Sequence, residues 1–162
     1  MILIGSDHGG YELKEKIKSY LDSRNISYED VGTGNCESVD YPDFALIVAK
    51  RISEKKADRG ILICGTGIGM SVAANKFPGV RATLCHNNFT AKMSREHNNS
   101  NCLVLGERVI DPPKAVEITG IWLNTAFLGE RHQKRIDKIE AIEKQVFFSF
   151  SIFECTTREH AF

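Results

Sequence analysis

Cys64 closes the apolar run Gly60-Ile61-Leu62-Ile63-Cys64 and opens the glycine-rich turn Gly65-Thr66-Gly67-Ile68-Gly69, which leads into the helix-forming stretch MSVAANK. Such a turn lets several backbone N–H groups converge on an anion, and the helix that follows adds the positive end of its dipole. The same field favours the thiolate of a neighbouring cysteine, which suits Cys64 to act as a base or a nucleophile. A second reading stays open, because free cysteine is commonly a small buried apolar group and the end of a core strand would hold one. Several familiar phosphate motifs are excluded. There is no G-x-x-x-x-G-K-[ST], neither GTGIGM nor GSDHGG completes G-x-G-x-x-G, and Met70 stands where a C-x5-R phosphatase loop needs arginine. Asp30, near the end of the second apolar stretch, is placed as a ribose-binding acid would be and keeps a dinucleotide site in view.

Other groups could serve the same site. Asp7 and His8 follow the first apolar run and precede Gly9-Gly10, so His8 is either a donor to a sugar or phosphate oxygen or a cap on the next helix. His97 ends a helical pattern in SREHNN, where the negative dipole end favours a protonated ring able to donate a proton. The alternative is a solvated surface histidine. Arg131 and Arg135 are four apart and share a helix face, from which two guanidiniums can fork onto a phosphate or pair with Glu130, Asp137 or Glu140. Arg108, in the turn Gly106-Glu107-Arg108, is a third candidate. Placed together at the carboxyl ends of strands, these groups favour a sugar-phosphate site. His86 and His132 receive no role on physical grounds.

The frame that must position them is legible from periodicity. Short apolar runs (Ile2 to Gly5, Ser27 to Val31, Gly60 to Cys64, Arg81 to Cys85, Cys102 to Leu105) alternate with helical patterns such as Leu13, Ile17, Tyr20 and Leu21. Alternation of this kind predicts right-handed βαβ units and an α/β fold, a Rossmann-like three-layer αβα sandwich with a five-stranded parallel sheet. Ligands of such sheets sit beyond the strand carboxyl ends, so the loops after strands one, three, four and five are where chemistry belongs. Residues 1–144 are expected to form a single domain. The remaining segment, 145–162, holds five of the nine phenylalanines, and its alternation of Phe148, Phe150 and Ile152 with Ser149 and Ser151 predicts a strand-like tail.

The chain has 162 residues, with 21 basic and 21 acidic side chains balancing to zero formal charge. No global field draws it to nucleic acid or to an acidic membrane, so any anion site must be local. Five cysteines without a C-x-x-C pair make neither a disulfide framework nor a zinc knuckle. The N-terminal MILIGSDHGG has no basic leader, and the longest uncharged stretch, Gly60 to Asn75, is too short to span a bilayer. The expectation is a reduced, cytoplasmic protein with no membrane or nucleic-acid partner.

Taken in order, the segments GSDHGG, VGT, DYPDFA, ILICGTGIGMSVAANK, REHNNSN, LGERV and GERHQKRIDKI resemble the ribose-5-phosphate isomerase B family, which includes allose- and galactose-6-phosphate isomerases. The resemblance runs from Met1 to about Lys144. It implies a reversible aldose–ketose isomerisation, through an enediolate, with no metal or organic cofactor. By position, Cys64 corresponds to the base, while Thr66 and the turn Gly65, Gly67, Ile68 and Gly69 hold the enediolate oxygens. His97 corresponds to the acid that opens the sugar ring, with Asn98 beside it on substrate. Asp7 falls at a substrate contact, and His8, Arg108, Arg131 and Arg135 form the phosphate-end group. The resemblance further implies homodimers, often paired into tetramers, whose active sites are built from both subunits. Interconversion of ribose 5-phosphate and ribulose 5-phosphate in the pentose phosphate pathway is the expected activity. A hexose 6-phosphate isomerase is the alternative, and a non-catalytic sugar-phosphate or nucleotide sensor is a further one, disfavoured because a mere binder needs neither the thiol nor His97.

Overall fold

The computed structural model describes residues 1–158, with side chains described through residue 146. The order of elements is β1 (Ile2–Ser6), a 3-10 turn (His8–Gly10), α1 (Tyr11–Ser23), β2 (Tyr28–Asp30), α2 (Tyr41–Ser53), β3 (Arg59–Cys64), α3 (Ile68–Ala74), β4 (Ala82–Leu84), α4 (Asn88–Glu96), β5 (Cys102–Gly106), α5 (Pro112–Asn124) and α6 (Glu130–Arg158). All five strands are parallel, in the order β2-β1-β3-β5-β4. The expected Rossmann-like αβα arrangement is therefore the observed one.

Side-chain alternation along the strands builds the two faces. Leu3, Leu62, Cys64, Cys102 and Val104 pack with Ala45, Val48, Ala49 and Ile52 of α2 and Met70 and Ala74 of α3. Ile4, Ile61, Ile63, Leu103 and Leu105 point the other way, onto Leu13, Ile17 and Leu21 of α1, Ala91 of α4 and Ala115, Ile118 and Trp122 of α5. With both faces covered, central strands read as continuous apolar runs, which is why β3 was so plain in the sequence. Leu13, Ile17 and Leu21 recur every fourth residue and put one stripe of α1 on the sheet. Asn87 caps α4 by accepting the Thr90 amide, and Asp111 caps α5 by accepting the Lys114 amide ahead of Pro112 and Pro113.

The register fixes the site. Cys64 lies opposite Gly106 of β5, and Ser6 lies opposite Ile63, so β1, β3 and β5 end side by side. Lys14 stabilises the neighbouring loop from below. Its ammonium is buried, donates to the Thr33 carbonyl at 2.6 Å and pairs with Asp30 at 2.9 Å. Lys18 also holds Asp30, at 2.8 Å. Burial pushes the Asp30 carboxyl up, but hydrogen bonds from Lys18 and Lys14 outweigh it and hold the group below its ordinary range. A ribose-binding role for Asp30 is thereby corrected: two ammoniums already occupy its oxygens.

The chain divides into two compact units, the first running from Met1 to Leu128 and the second beginning at Gly129. The second consists of α6. Its helical backbone continues to Arg158, so the strand expected around Phe148 to Ile152 is not formed. Nothing between Glu130 and Arg158 is Gly or Pro, and a helix under way in a Glu-, Lys- and Gln-rich stretch continues through aromatic residues when no breaker stops it. Residues 159–162 lie outside the described chain. Among the described residues no helix is long and apolar enough to cross a membrane.

Candidate active site

Cys64 is the last residue of β3 and is only 5% exposed. The chain turns sharply after it because Gly67 takes a left-handed conformation with φ of 78°. A side chain at Gly67 would be strained there and would also strike Leu84, whose Cδ1 lies 2.4 Å from the would-be Cβ. The turn brings the Gly67 amide onto the sulfur, donating to Cys64 Sγ at 3.1 Å. A bond of this kind strengthens when the acceptor carries negative charge. Thr66 is exposed at the crest of the turn, and its hydroxyl accepts a long bond from the Ile68 amide at 3.4 Å. Gly69, one turn further, abuts the ring of Tyr41.

The loop after β1 lies against this turn. A Cβ on Gly9 would be 3.3 Å from the Gly65 amide nitrogen. Asp7 is 6% exposed, and its Oδ1, like the hydroxyl of Ser6, is buried without a hydrogen-bond partner among the described residues. Burial pushes the Asp7 carboxyl above its ordinary range, opposed by charge on His8 and Arg108 and by the Gly9 and Gly10 amides. Buried polar atoms are nearly always paired, so one left open near a thiol and a donor-rich turn can receive a ligand hydroxyl. His8 meets the backbone of Val39 through Nδ1, 3.1 Å from its carbonyl oxygen and 3.2 Å from its amide nitrogen. Neither reading of His8 from the sequence includes this tie, which fixes one edge of the ring.

The loop after β5 completes the cluster. Glu107 donates its amide to the Cys64 carbonyl at 3.0 Å, and Arg108 donates its amide to the Gly65 carbonyl at 2.9 Å. The Arg108 guanidinium lies over Gly65, 3.3 Å from the would-be Cβ. Asp7, His8, Cys64, the turn from Gly65 to Gly69 and Arg108 thus share the carboxyl end of three adjacent strands. Among the described residues, no three His, Cys, Asp or Glu side chains are grouped to hold a metal ion.

His97 and Asn98 do not join them, and the expectation that all candidates lie at strand carboxyl ends is corrected here. His97 is the C-cap of α4, and its amide bonds to Met93. After β4, α4 runs back toward the start of β5, as every crossover helix of a parallel sheet must. Asn101, three residues past Asn98, accepts the Gly60 amide at the amino end of β3. Four register steps of about 3.3 Å, or about 13 Å, already separate that end from Cys64. Arg131 and Arg135 lie in the second unit, on one face of α6 as expected. They flank the buried ring of His132, with Arg131 Nε 3.3 Å from Nε2 and Arg135 Nη1 3.4 Å from Nδ1. A neutral imidazole has one acceptor nitrogen, so these two contacts are alternatives. The sequence reading passed over His132 and Glu107; for His132 the flanking arginines were the available signal.

A sheet of this order with a thiol, a donor-rich turn and an open carboxyl oxygen at its carboxyl end defines an α/β enzyme of small anionic substrates. The model of a family described as Ribose/Galactose Isomerase matches residues 2–139. The ribose-5-phosphate isomerase B of Escherichia coli (strain K12) is 44% identical over 144 residues, 89% of this chain and 97% of that protein. A solved ribose-5-phosphate isomerase B of Clostridium thermocellum is 53% identical with a TM-score of 0.87, covering 90% of this chain and 98% of that one. Another, from Mycoplasma genitalium with ribulose-5-phosphate bound, is 42% identical with a TM-score of 0.85, covering 88% and 95%. The chain belongs to the ribose/galactose isomerase family. It is an isomerase of the ribose-5-phosphate isomerase B type.

Proposed function

We propose that the protein interconverts ribose 5-phosphate and ribulose 5-phosphate, the aldose–ketose step of the pentose phosphate pathway, in the cytoplasm. The observation that carries this reading is the Cys64 sulfur held by the Gly67 amide near the buried Asp7 Oδ1, which has no hydrogen-bond partner among the described residues. Cys64 removes the proton alpha to the carbonyl, giving an enediolate, and returns it to the neighbouring carbon while the hydroxyl proton passes from O2 to O1. Backbone amides of Gly65, Gly67, Ile68 and Gly69 and the Thr66 hydroxyl receive the charge that develops on oxygen. Asp7 accepts a sugar hydroxyl. Arg108, with His8, takes the phosphate, whose binding energy orients the carbon against the sulfur; Arg131 and Arg135 of α6 are a further pair of guanidiniums suited to a phosphate.

His97, with Asn98, opens the sugar ring from a second copy of the chain. One protomer holds His97 and Cys64 at opposite ends of its sheet, so a homodimer, alone or paired into a tetramer, completes the site. Two inactive variants test this. Purified Cys64→Ala and His97→Ala proteins, mixed under conditions of subunit exchange, should recover about a quarter of wild-type activity, since half the dimers are mixed and each has one intact site. No recovery after verified exchange would overturn the shared site.

The activity itself is tested by following ribose 5-phosphate conversion with EDTA present, beside allose and galactose 6-phosphates. The expected result is EDTA-insensitive turnover with the five-carbon sugar preferred. A strong preference for a six-carbon phosphate would favour the second reading, which the family's joint description as ribose and galactose isomerases supports. Tight binding of ribose 5-phosphate without turnover would instead make the protein a sensor.

A further inference from the structure

We propose that Glu107 is a positioning residue, holding the Asp7–His8 loop in register with Cys64 and Arg108 by capping a helix that cannot cap itself. The first amides of any helix lack partners within it, and the residue before the helix normally accepts one with a short polar side chain. The residue before α1 is Gly10, which has no side chain. Nor has it room for one, because a Cβ there would lie 2.5 Å from the Ile63 carbonyl oxygen of β3. The close approach of this turn to β3 thus rules out the ordinary device.

The acceptor arrives from 94 residues away. Glu107 Oε2 accepts the amide of Leu13, the third residue of α1, at 2.9 Å. The same residue is anchored at its other end, since its amide donates to the Cys64 carbonyl at 3.0 Å, and the next amide, of Arg108, donates to Gly65 at 2.9 Å. Glu107 therefore links two bodies. Its backbone is fixed to the strand end that bears the thiol and the donor turn, and its side chain is fixed to the helix that follows the 3-10 turn bearing His8. Where the loops it spaces meet, Gly9 lies against Gly65, a would-be Cβ on Gly9 being 3.3 Å from the Gly65 amide nitrogen, so neither residue has a side chain to set their separation. A site whose base, hydroxyl acceptor and phosphate ligand come from three loops needs such a spacer, because displacement of a reacting group by about 1 Å can cost up to ~100-fold in rate.

This inference rests on the assignment of Asp7 and Cys64 to one site, and its test separates the two ideas. Glu107→Ala removes the acceptor, while Glu107→Gln keeps an amide oxygen for the Leu13 N–H. With ribose 5-phosphate, measured well below the melting temperature of each variant, Glu107→Ala should lose about tenfold in kcat/KM, shared between kcat and KM. Glu107→Gln should stay within about twofold of wild type. A helix cap with no bearing on the site would lower the melting temperature of Glu107→Ala and leave kcat and KM unchanged, and that result overturns the proposal. Equal impairment of both variants also overturns it, since the acceptor would then not be what matters. If the wild-type protein does not turn over ribose 5-phosphate, the functional reading fails, and Glu107 is judged by amide hydrogen exchange. Gly9, Gly10 and Leu13 should then exchange about tenfold faster in Glu107→Ala than in wild type or Glu107→Gln, and unchanged exchange refutes the link.

Discussion

The two ends of the sheet treat buried polar groups in opposite ways. At the amino end, buried Arg95 gathers with half-buried Arg59 and Arg81, with no carboxylate ion pair among the described residues, yet each finds an acceptor. Arg59 donates to the Leu123 carbonyl at 2.8 Å, Arg81 to Asn99 at 3.1 Å, and Arg95 to Thr125 at 3.3 Å and to Ser100. Those carbonyls close α5 and follow α4, so the guanidiniums sit on the negative ends of two helices. Arg59 and Arg95 also stack on Trp122, whose indole N–H donates to Ser100 Oγ at 3.3 Å. Burial, aided by Arg59 and Arg81, lowers Arg95 only to about 10, so it remains charged at neutral pH. At the carboxyl end the satisfaction is poorer: Asp7 and Ser6 each keep a buried oxygen without a hydrogen-bond partner among the described residues. One end closes its hydrogen bonds for stability. The other leaves two oxygens open, of which the proposed function gives that of Asp7 to a ligand.

The contrast can be broken from either side. The largest effect is expected for Cys64→Ala, which should lower kcat by about 100-fold or more while the melting temperature moves by about 2 °C or less. Retained activity would remove Cys64 as the base. At the amino end, Arg59→Ala should do the reverse. Losing a charged donor to Leu123 costs about 2 kcal/mol, a fall of roughly 4–8 °C in melting temperature for a chain this size, with kcat/KM within about twofold of wild type.

Asp7→Asn should combine a loss with a small gain. Its kcat/KM should fall about tenfold, and its melting temperature at pH 7 should rise by about 2–4 °C. The sign follows from burial. A carboxyl whose folded value is raised adds stability in acid and loses it as pH rises through that value. The advantage of Asn therefore grows as pH rises through the raised folded value and vanishes below the ordinary value of 3.8. Melting curves of both proteins from pH 3 to pH 8 would show it, and parallel curves would refute the cost assigned to Asp7.

Much of this was legible in the residues. The β3 run and its glycine turn announced the central strand and the candidate site, because a strand covered on two faces is apolar throughout and the left-handed turn at Gly67 requires glycine. His97 was legible as a helix end but was assigned to the wrong end of the sheet. The parallel order itself held the correction, since the residues between a crossover helix and its next strand lie at the amino end. Glu107 was hidden for another reason. Its partner is a backbone amide 94 residues away, and no side-chain pattern records where an amide lacks an acceptor. The tail misled because Phe and Ser alternate locally, whereas helix continuation depends on the whole breaker-free stretch from Glu130.

The separation of His97 from Cys64 within one chain has a consequence for how the activity scales. The site proposed to be shared by two copies would obey mass action before it obeys substrate. Below the dissociation constant of the pair, rate should fall with the square of chain concentration, so that dilution alone becomes an inhibitor and abundance a control on flux.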